Sequence, residues 1–450
     1  MDSGARGDLA VTVEDFLKRA GVAGRWPGFK ADGALSSEAA GFLRGFYEDA
    51  SDDELGDIGV DDLIELAHAF WLWRAERVDD DQAARVRPGQ GADGRRLKRD
   101  ILEIAGPDMP FLVDSIMSEL SEEGVAALAM FHPIVRSEAR KAESLIQIHL
   151  PVLSPARAQA VHEGVRATLN EVRQAVSAFA AMKRRMLDCA DELSRAQSGA
   201  DRDLLTESVA LLRWLAADRF TFLGARDYLY ARDAEGRLLP DEPIILEESG
   251  VGLLADPARY VLRTSNEPFL LTPEIQRLLK DPTPLIVAKS TIRSRVHRRV
   301  TADYIGVKRY DAEGAIVGET RFVGLFAADA YTEMTREIPV IRRKVEWVLE
   351  HAGFTPGGHN EKTLRNILET YPRDELWQIT QEELLASPAA SCTSWIAPAR
   401  ARSTAAIRSI VLSRPWPICR RIASTRRCGS KWARRWSAPM AARSRLSIRS

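Results

Sequence analysis

Residues 101–120, ILEIAGPDMPFLVDSIMSEL, constrain the fold more than any other stretch of the chain. An apolar run of strand length begins at Ile101, and the turn formers Gly106 and Pro107 end it. The order strand, tight turn and helix opens a βαβ-type unit. The stretch therefore predicts the beginning of a mixed sheet-and-helix domain.

The helix after this turn is predicted from its apolar spacing. Asp108 can cap it, and Pro110 fits a first helical turn. Apolar residues then recur every three or four positions, at Leu112, Val113, Ile116, Met117 and Leu120. The acidic residues of this segment point away from that stripe, and they are Asp114, Glu119 and Glu122. Gly124 ends the helix.

The gross composition is that of an ordinary folded protein of 450 residues, with 45% hydrophobic and 28% charged residues. No apolar run reaches the length of about 18 residues that a membrane helix needs. The N-terminus has no apolar segment behind a basic start, so no secretory signal is predicted. A cytoplasmic protein without a membrane partner is expected.

Residues 1–90 are predicted to be a helical N-terminal region, with helices near 13–18, 37–47 and 61–73. A polar linker follows and contains Gly89, Gly91 and Gly94 in a G-x-G-x-x-G match. Such a match cradles a pyrophosphate only between a strand and a helix, and neither is predicted here. We interpret the linker as a flexible connector.

Residues 95–195 are predicted to form a ferredoxin-like βαββα unit. After the opening strand and helix come strands near 125–131 and 144–150, then a long helix that begins at Ser154-Pro155. In the second of these strands Ile146, Ile148 and Leu150 alternate with Gln147 and His149, the pattern of a strand with one covered face. The final strand of a βαββαβ unit is not found before Ser198. Either the sheet has three strands, or another segment supplies the fourth.

Residues 201–335 are predicted to form a second, antiparallel α+β unit. A helix near 204–215 precedes strands near 220–230, 284–289, 301–310 and 316–326. Asp-Ala-Glu-Gly occurs between strand-like runs twice, after Arg232 and after Tyr310, as expected of hairpin turns. Residues 336–386 are predicted to be a helical connector, and the whole chain is of the α+β class.

The tail, residues 387–450, has fourteen basic and no acidic residues, which leaves 49 basic against 64 acidic residues and a net charge of −15 before it. It also holds three of the four cysteines, so the main body has only Cys189 and fits a reducing compartment. We interpret the tail as disordered and as an out-of-frame translation of GC-rich DNA. The alternatives are a natural disordered linker and an arginine-rich arm for nucleic acid, a partner that is not expected.

A basic strand-loop-strand segment is the candidate anion site. Its proposed anion-binding residues are Arg293, Arg295, His297, Arg298 and Lys308. The alternative is a solvated sheet face or a subunit contact. The seven histidines show no metal-binding spacing, and no metal is expected.

The segment D-M-P-F-L resembles the ligand loop of ACT regulatory domains. Asp108, Pro110 and Leu112 match that loop, whereas Phe111 stands where the family usually has glycine. The resemblance implies an amino-acid effector site formed by Asp108, Met109, Pro110, Phe111 and Leu112. A side chain at Phe111 would crowd the approach of such a ligand to the backbone.

Longer blocks resemble the N-terminal segment of the large bacterial NAD-specific glutamate dehydrogenases. They are GPDMPFLVDSIMSEL, LRWLAADRFTFLGARDY, VHRRVTADYIGVKRYDAEGAIVGETRFVGLF and HAGFTPGGHNEKTLRNILETYPRDELWQIT, and they span about residues 40–386. The resemblance implies ACT-like and PAS-like domains that regulate or build an oligomer. In the family a catalytic region follows, and it converts L-glutamate and NAD to 2-oxoglutarate and ammonia.

Neither a lysine-bearing substrate pocket nor a nucleotide-binding βαβ unit is found in this sequence. We therefore expect a truncated or frameshifted copy without catalytic residues, with no cofactor bound by this chain itself. A homo-oligomer with an amino-acid effector is the main hypothesis. The alternative is a free-standing ACT-type sensor of amino acids.

Overall fold

The computed structural model describes residues 37–47, 58–76, 82–137, 140–196, 201–234, 238–259, 261–262 and 283–387. The helix predicted near 13–18 and the tail beyond residue 387, with its interpretations, lie outside the described residues. The α+β class is confirmed, because the described chain contains two antiparallel sheets with helices packed against them.

In its described residues the first unit combines four α-helices and five strands. In chain order they are α1 (Ser37–Tyr47), α2 (Val60–Ala75), β1 (Ala83–Gln90), β2 (Arg96–Pro107), α3 (Leu112–Glu122), β3 (Ala129–Phe131), β4 (Ile134–Ser137), β5 (Arg140–Leu150) and α4 (Pro155–Arg195). The sheet order is β1-β2-β5-β3, and β4 also pairs with β5. All these pairs are antiparallel.

The fourth strand of the ferredoxin-like sheet comes from before the unit. β1 pairs with β2 on the side away from β5, which is the place that the last strand of a βαββαβ order would take. This strand was not predicted because Pro88 and Gly89 are residues that rarely occur inside strands. Both are tolerated because β1 is at the edge of the sheet, where a missing donor is harmless.

The predicted flexible connector is therefore wrong. Its G-x-G-x-x-G match forms the tight turn between β1 and β2, in which Gly94 has a φ of 79°. The backbone N–H of Gly91 donates to the carbonyl of Arg95 at 2.9 Å, and that of Gly94 donates to the carbonyl of Gly91 at 2.9 Å. The glycines serve a hairpin and not a phosphate.

Both faces of the first sheet are buried. Ile146, Ile148 and Leu150 on β5 face the core formed with α3 and α4. The alternating positions Gln147 and His149, predicted to be on an uncovered face, are fully buried on the side that α1 and α2 cover. The polar side chains there bond to one another, so the helices cover a hydrogen-bonded layer.

The second unit contains a five-stranded antiparallel sheet. Its elements are α5 (Arg202–Trp214), β6 (Phe220–Arg232), β7 (Leu238–Gly252), β8 (Leu285–Arg293), β9 (Thr301–Tyr310) and β10 (Ile316–Phe326). The order is β7-β6-β10-β9-β8. The predicted turn after Tyr310 is confirmed, with Gly314 at φ 83° and the N–H of Asp311 donating to the carbonyl of Ala315 at 2.9 Å.

Five α-helices follow the second sheet within the residues that the structure describes. They are α6 (Ala328–Thr332), α7 (Ile341–His351), α8 (His359–Thr370), α9 (Arg373–Gln378) and α10 (Gln381–Ala386). Their apolar residues share one core with α5 and one face of the second sheet. The other face of that sheet shares a core with α3 and α4. α4 has 41 residues and is about 60 Å long, and it contributes to both cores.

Candidate functional site

The predicted effector turn lies between β2 and α3. The backbone N–H of Asp108 donates to the carbonyl of Ala142 on β5 at 2.9 Å, which ties the turn to the sheet. α3 begins at Leu112, and Phe111 occupies its capping position. The prediction that Asp108 caps this helix is wrong, since no side chain of the described residues accepts a hydrogen bond at this cap.

Phe111 adopts the left-handed backbone region, with a φ of 70°. That conformation costs a residue with a side chain about 1 kcal/mol relative to glycine. The left-handed backbone at this position therefore explains why ACT loops usually have glycine here. The half-buried ring of Phe111 lies 5.1 Å from the ring of His297, measured between centroids.

His297 lies in the loop between β8 and β9 and also has a left-handed φ, of 63°. Its backbone N–H donates to Ser115 Oγ at 2.8 Å, and its ring Nδ1 is 3.0 Å from Asp114 Oδ2. Two strained residues from different units thus contact each other. Such strain persists only where surrounding contacts fix the backbone, and it is concentrated at functional sites.

Basic residues of the same loop pair with the acidic side of α3. Arg293 makes two hydrogen bonds to the carboxylate of Glu122, at 2.7 and 3.0 Å. Arg295 Nη1 lies 3.2 and 3.1 Å from the carboxylate oxygens of Glu119, and Arg299 also pairs with Glu119. We call this contact the α3 interface, and its residues are Phe111, Asp114, Ser115, Glu119 and Glu122 against Arg293, Arg295, His297 and Arg299.

Glu119 is the centre of the α3 interface. It is 2% exposed, and besides the two arginines it accepts a hydrogen bond from Thr168 Oγ1 on α4 at 2.8 Å. Gly164 makes room for it, because a Cβ at that position would lie 2.3 Å from Glu119 Oε1. Glu119 lies off the apolar stripe of α3, as predicted. It is nevertheless buried, because the basic loop covers that side of the helix.

The structure places two members of the predicted anion site elsewhere. Arg298 donates to the backbone carbonyl of Phe326 at 2.7 Å. Lys308 is buried in the second sheet and donates to the Tyr230 hydroxyl at 2.7 Å. Arg293, Arg295 and His297 instead meet the effector turn and α3. Anion binding by the five residues stays a prediction. The described side-chain contacts of those three are to α3, to Phe111 and, for Arg295, also to Gly164 and Glu171 on α4.

Glu119 and Arg299 were not among the predicted site residues. The signal that could have found them was charge complementarity, because an acidic helix face and an arginine-rich loop occur in the same chain. Their separation of 180 residues gave no means of pairing them from sequence. The interface could be recognised only once both segments were placed.

A groove of about 480 Å³ lies beside the effector turn. Gln82 lines it and also donates from Nε2 to the sulfur of Met109 in the turn at 3.5 Å. Gln82 Oε1 is buried and has no hydrogen-bond partner among the described residues. The charged and amide side chains along the helical wall of the groove are Glu163, Arg166, Asn170 and Arg173. These groups could bind a carboxylate and an ammonium group together.

The described part of the chain lacks both a metal-binding cluster and a membrane-spanning helix. Within it, no three histidine, cysteine, aspartate or glutamate side chains are grouped as a metal ion would need. None of its helices combines the length and the apolar composition required to cross a bilayer.

Two family models match the chain. Residues 42–175 match the glutamate dehydrogenase ACT1 domain, and residues 338–388 match glutamate dehydrogenase helical motif 1. The fold and these matches define an α+β protein with an ACT domain of the glutamate dehydrogenase type.

Curated relatives extend the match over most of the chain. NAD-specific glutamate dehydrogenase of Halomonas elongata is 34% identical over 79% of this chain and 23% of its own length. The enzymes of the same name from Pseudomonas aeruginosa and Mycobacterium tuberculosis are 31% and 32% identical, over 77% and 39% of this chain. The chain belongs to the NAD-specific glutamate dehydrogenase family, of which it is an N-terminal segment. It spans about a quarter of the length of the first two relatives.

Proposed function

We propose that this chain is the regulatory and assembly segment of an NAD-dependent glutamate dehydrogenase, which deaminates L-glutamate to 2-oxoglutarate. The observation that carries the proposal is the α3 interface. Through it, the turn that resembles an ACT effector loop contacts the second unit directly, at the rings of Phe111 and His297. A ligand that displaces the turn would change the position of the β8–β9 loop.

The proposed effector is a free amino acid bound in the groove beside the turn. Arg166 and Arg173 supply guanidinium groups for its carboxylate, and Glu163 supplies a carboxylate for its ammonium group. Gln82 links the groove to the turn, since one end of its amide contacts Met109 and the other end has no partner in the described chain. Binding would therefore be sensed at the N-terminal end of α3.

Isothermal titration of the purified chain with each of the twenty amino acids tests the effector site. We expect saturable binding of at least one of them, weakened about tenfold by Arg166→Gln because one charge-assisted hydrogen bond is lost. Arg336→Gln is the matched control, since Arg336 is an exposed arginine whose described ion pair is to the neighbouring Glu337. Binding that Arg166→Gln leaves unchanged would remove the groove from the proposal.

Hydrogen exchange tests whether the binding is regulatory. With the effector at saturation, exchange of the backbone amides at residues 294–300 should change, because His297 and Arg295 are held by α3. Unchanged exchange in that loop, in a sample shown by calorimetry to be saturated, would mean that the site binds without signalling.

Assembly and catalysis are tested separately. Light scattering of the purified chain should give a mass that is a multiple of 50.0 kDa, as expected of a homo-oligomeric module. Glutamate and NAD added to the same sample should give no NADH. A monomer would refute the assembly role, and turnover would refute the regulatory reading of this segment.

A further inference from the structure

A second group of buried charges lies in the second sheet, on the face opposite the C-terminal helices. Arg321 on β10 is the register partner of both Arg226 on β6 and Gly306 on β9. Register partners point to the same face of a sheet. The group is called the β10 cluster below and consists of Arg226, Tyr230, Tyr304, Lys308, Glu319 and Arg321.

The β10 cluster has more positive than negative charge. Three of its members are cationic, and all six are at most 6% exposed. Glu319 pairs with Arg321 and lies 3.4 Å from Lys308 Nζ. Burial alone would raise the pKa of Glu319, but the charges of Arg321 and Lys308 lower it, so the carboxylate is ionised.

Arg226 is held by neutral groups. Its guanidinium donates to the main-chain carbonyls of Leu254 at 2.8 Å and Arg259 at 3.3 Å, and also to that of Asp256. These carbonyls satisfy its hydrogens but do not cancel its charge. Two like charges at directly opposed strand positions repel each other, and Glu319 is the one carboxylate among the six residues that define the cluster.

Two buried polar atoms of the β10 cluster have no partner among the described residues. They are Arg321 Nη2 and the hydroxyl oxygen of Tyr304. A Cβ at Gly306 would lie 2.3 Å from that hydroxyl. Because Gly306 is the register partner of Arg321, the Tyr304 hydroxyl lies beside Arg321. Both atoms can donate a hydrogen, and burial, reinforced by the nearby carboxylate of Glu319, raises the pKa of Tyr304 so that its hydroxyl stays protonated.

We propose that the β10 cluster binds a small monovalent anion, a halide or a carboxylate, between Arg321 Nη2 and the Tyr304 hydroxyl. The anion accepts a hydrogen bond from each donor and offsets the surplus charge of the two opposed arginines. A surface groove of about 490 Å³ lies between α4 and the end of β9, and Lys308 is one of the residues that line it.

Thermal unfolding of the purified chain at constant sodium concentration tests the site. Sodium sulfate is replaced stepwise by sodium bromide in one series and by sodium formate in another. A ligand that binds only the folded state raises Tm with a saturable dependence on its concentration. Saturation by bromide alone identifies a halide site, by formate alone a carboxylate site, and by both a shared site. A dependence on neither overturns the proposal.

Tyr304→Phe tests the assignment of the donors, because it removes one oxygen and keeps the ring. We expect the half-saturating concentration to rise about tenfold, as for the loss of one hydrogen bond to a charged group. Tyr331→Phe is the matched control, since Tyr331 lies on α6 outside the cluster. An unchanged half-saturating concentration in Tyr304→Phe overturns the proposed site.

Crystals grown with sodium bromide provide a test that needs no variant. An anomalous peak within hydrogen-bond distance of Arg321 Nη2 and the Tyr304 hydroxyl is expected if Tm depends on bromide. A peak that appears only at the protein surface would refute halide binding in the β10 cluster.

Discussion

His149 makes the first unit sensitive to acid. Its ring Nδ1 lies 3.1 Å from Arg99 Nη1, and its Nε2 lies 3.1 Å from the side-chain oxygen of Gln147. Arginine can only donate, so Nδ1 must accept and Nε2 must carry the hydrogen. A second proton on Nδ1 would point at the guanidinium. Burial, reinforced by the charges of Arg99 and Arg87, lowers the pKa of His149 to about 3.

This pKa converts to a loss of stability on acidification. In the unfolded chain His149 takes up a proton near pH 6.5, whereas in the folded chain it does so only near pH 3. The neutral His149 ring therefore makes its full contribution to the free energy of unfolding at pH 7. That contribution is lost as the pH falls from 6.5 to 3. Linkage gives a loss of ~2 kcal/mol at pH 5 and of ~4 kcal/mol at pH 3.

Urea unfolding at pH 7 and pH 5 measures this loss. His149→Gln keeps an acceptor for Arg99 and a donor for Gln147 but does not titrate. The wild type should lose ~2 kcal/mol more than this variant between the two pH values. Other groups, such as the half-buried His132, contribute equally to both proteins and cancel. His359→Gln, at the exposed start of α8, is the control and should behave as the wild type. Equal losses in His149→Gln and the wild type would refute the argument.

Three further predictions concern the α3 interface and the C-terminal helices. Phe111→Gly should be more stable than Phe111→Ala by about 1 kcal/mol in urea unfolding, because only glycine relieves the φ of 70°; equal stabilities would mean that the strain is absent. Glu119→Gln should cost about 2 kcal/mol, the size of a lost hydrogen bond to a charged group, and speed amide exchange at residues 294–300, since Arg295 and Arg299 lose their shared carboxylate; Glu350→Gln, exposed on α7, should do neither. Burial lowers the pKa of Lys344 to about 8 from 10.5, so the wild type should gain stability as the pH rises from 8 to 10.5, by ~2 kcal/mol at pH 9.5. Lys344→Met should lack that gain, and a gain of the same size in the variant would contradict the assignment.

Elements whose apolar residues recur at regular spacing were predictable from the sequence, whereas the edge strand β1 was not. The helix that begins after Ser154 was placed by its cap and apolar stripe, and the structure shows Ser154 Oγ accepting from the N–H of Arg157 at 3.3 Å. β1 was missed because Pro88 and Gly89 argue locally against a strand. What makes β1 a strand is its pairing with β2, and that pairing is not encoded in the segment itself.

The polar side of β5 was misread for a related physical reason. Gln147 and His149 alternate with apolar residues, a pattern typical of a strand with one wet face. In the structure α2 covers them, and Gln147 donates to Glu103 at 3.1 Å while Arg87 donates to the same carboxylate at 2.7 Å. Burial of a polar residue depends on partners from other elements, so a pattern within one strand cannot reveal it.

The effector turn and the basic loop were predicted as two separate ligand sites. The α3 interface explains why each of them has sequence features that are typical of a ligand site. A turn with a left-handed residue and a cluster of arginines are features of ligand sites. Here Phe111 of the turn and His297 of the loop instead contact each other. Under the proposed function, an amino acid at the turn regulates the second unit only if it binds the closed and the opened interface with different affinity. Opening relieves two left-handed residues, worth about 1 kcal/mol each, but it breaks the pairs that Glu119 and Glu122 make with the loop. The strain at Phe111 and His297 thus reduces the free energy needed to open the interface. An effector then needs a smaller difference in affinity between the closed and the opened interface. Under the proposed function, this is a reason for the turn to keep phenylalanine where glycine would fit more easily.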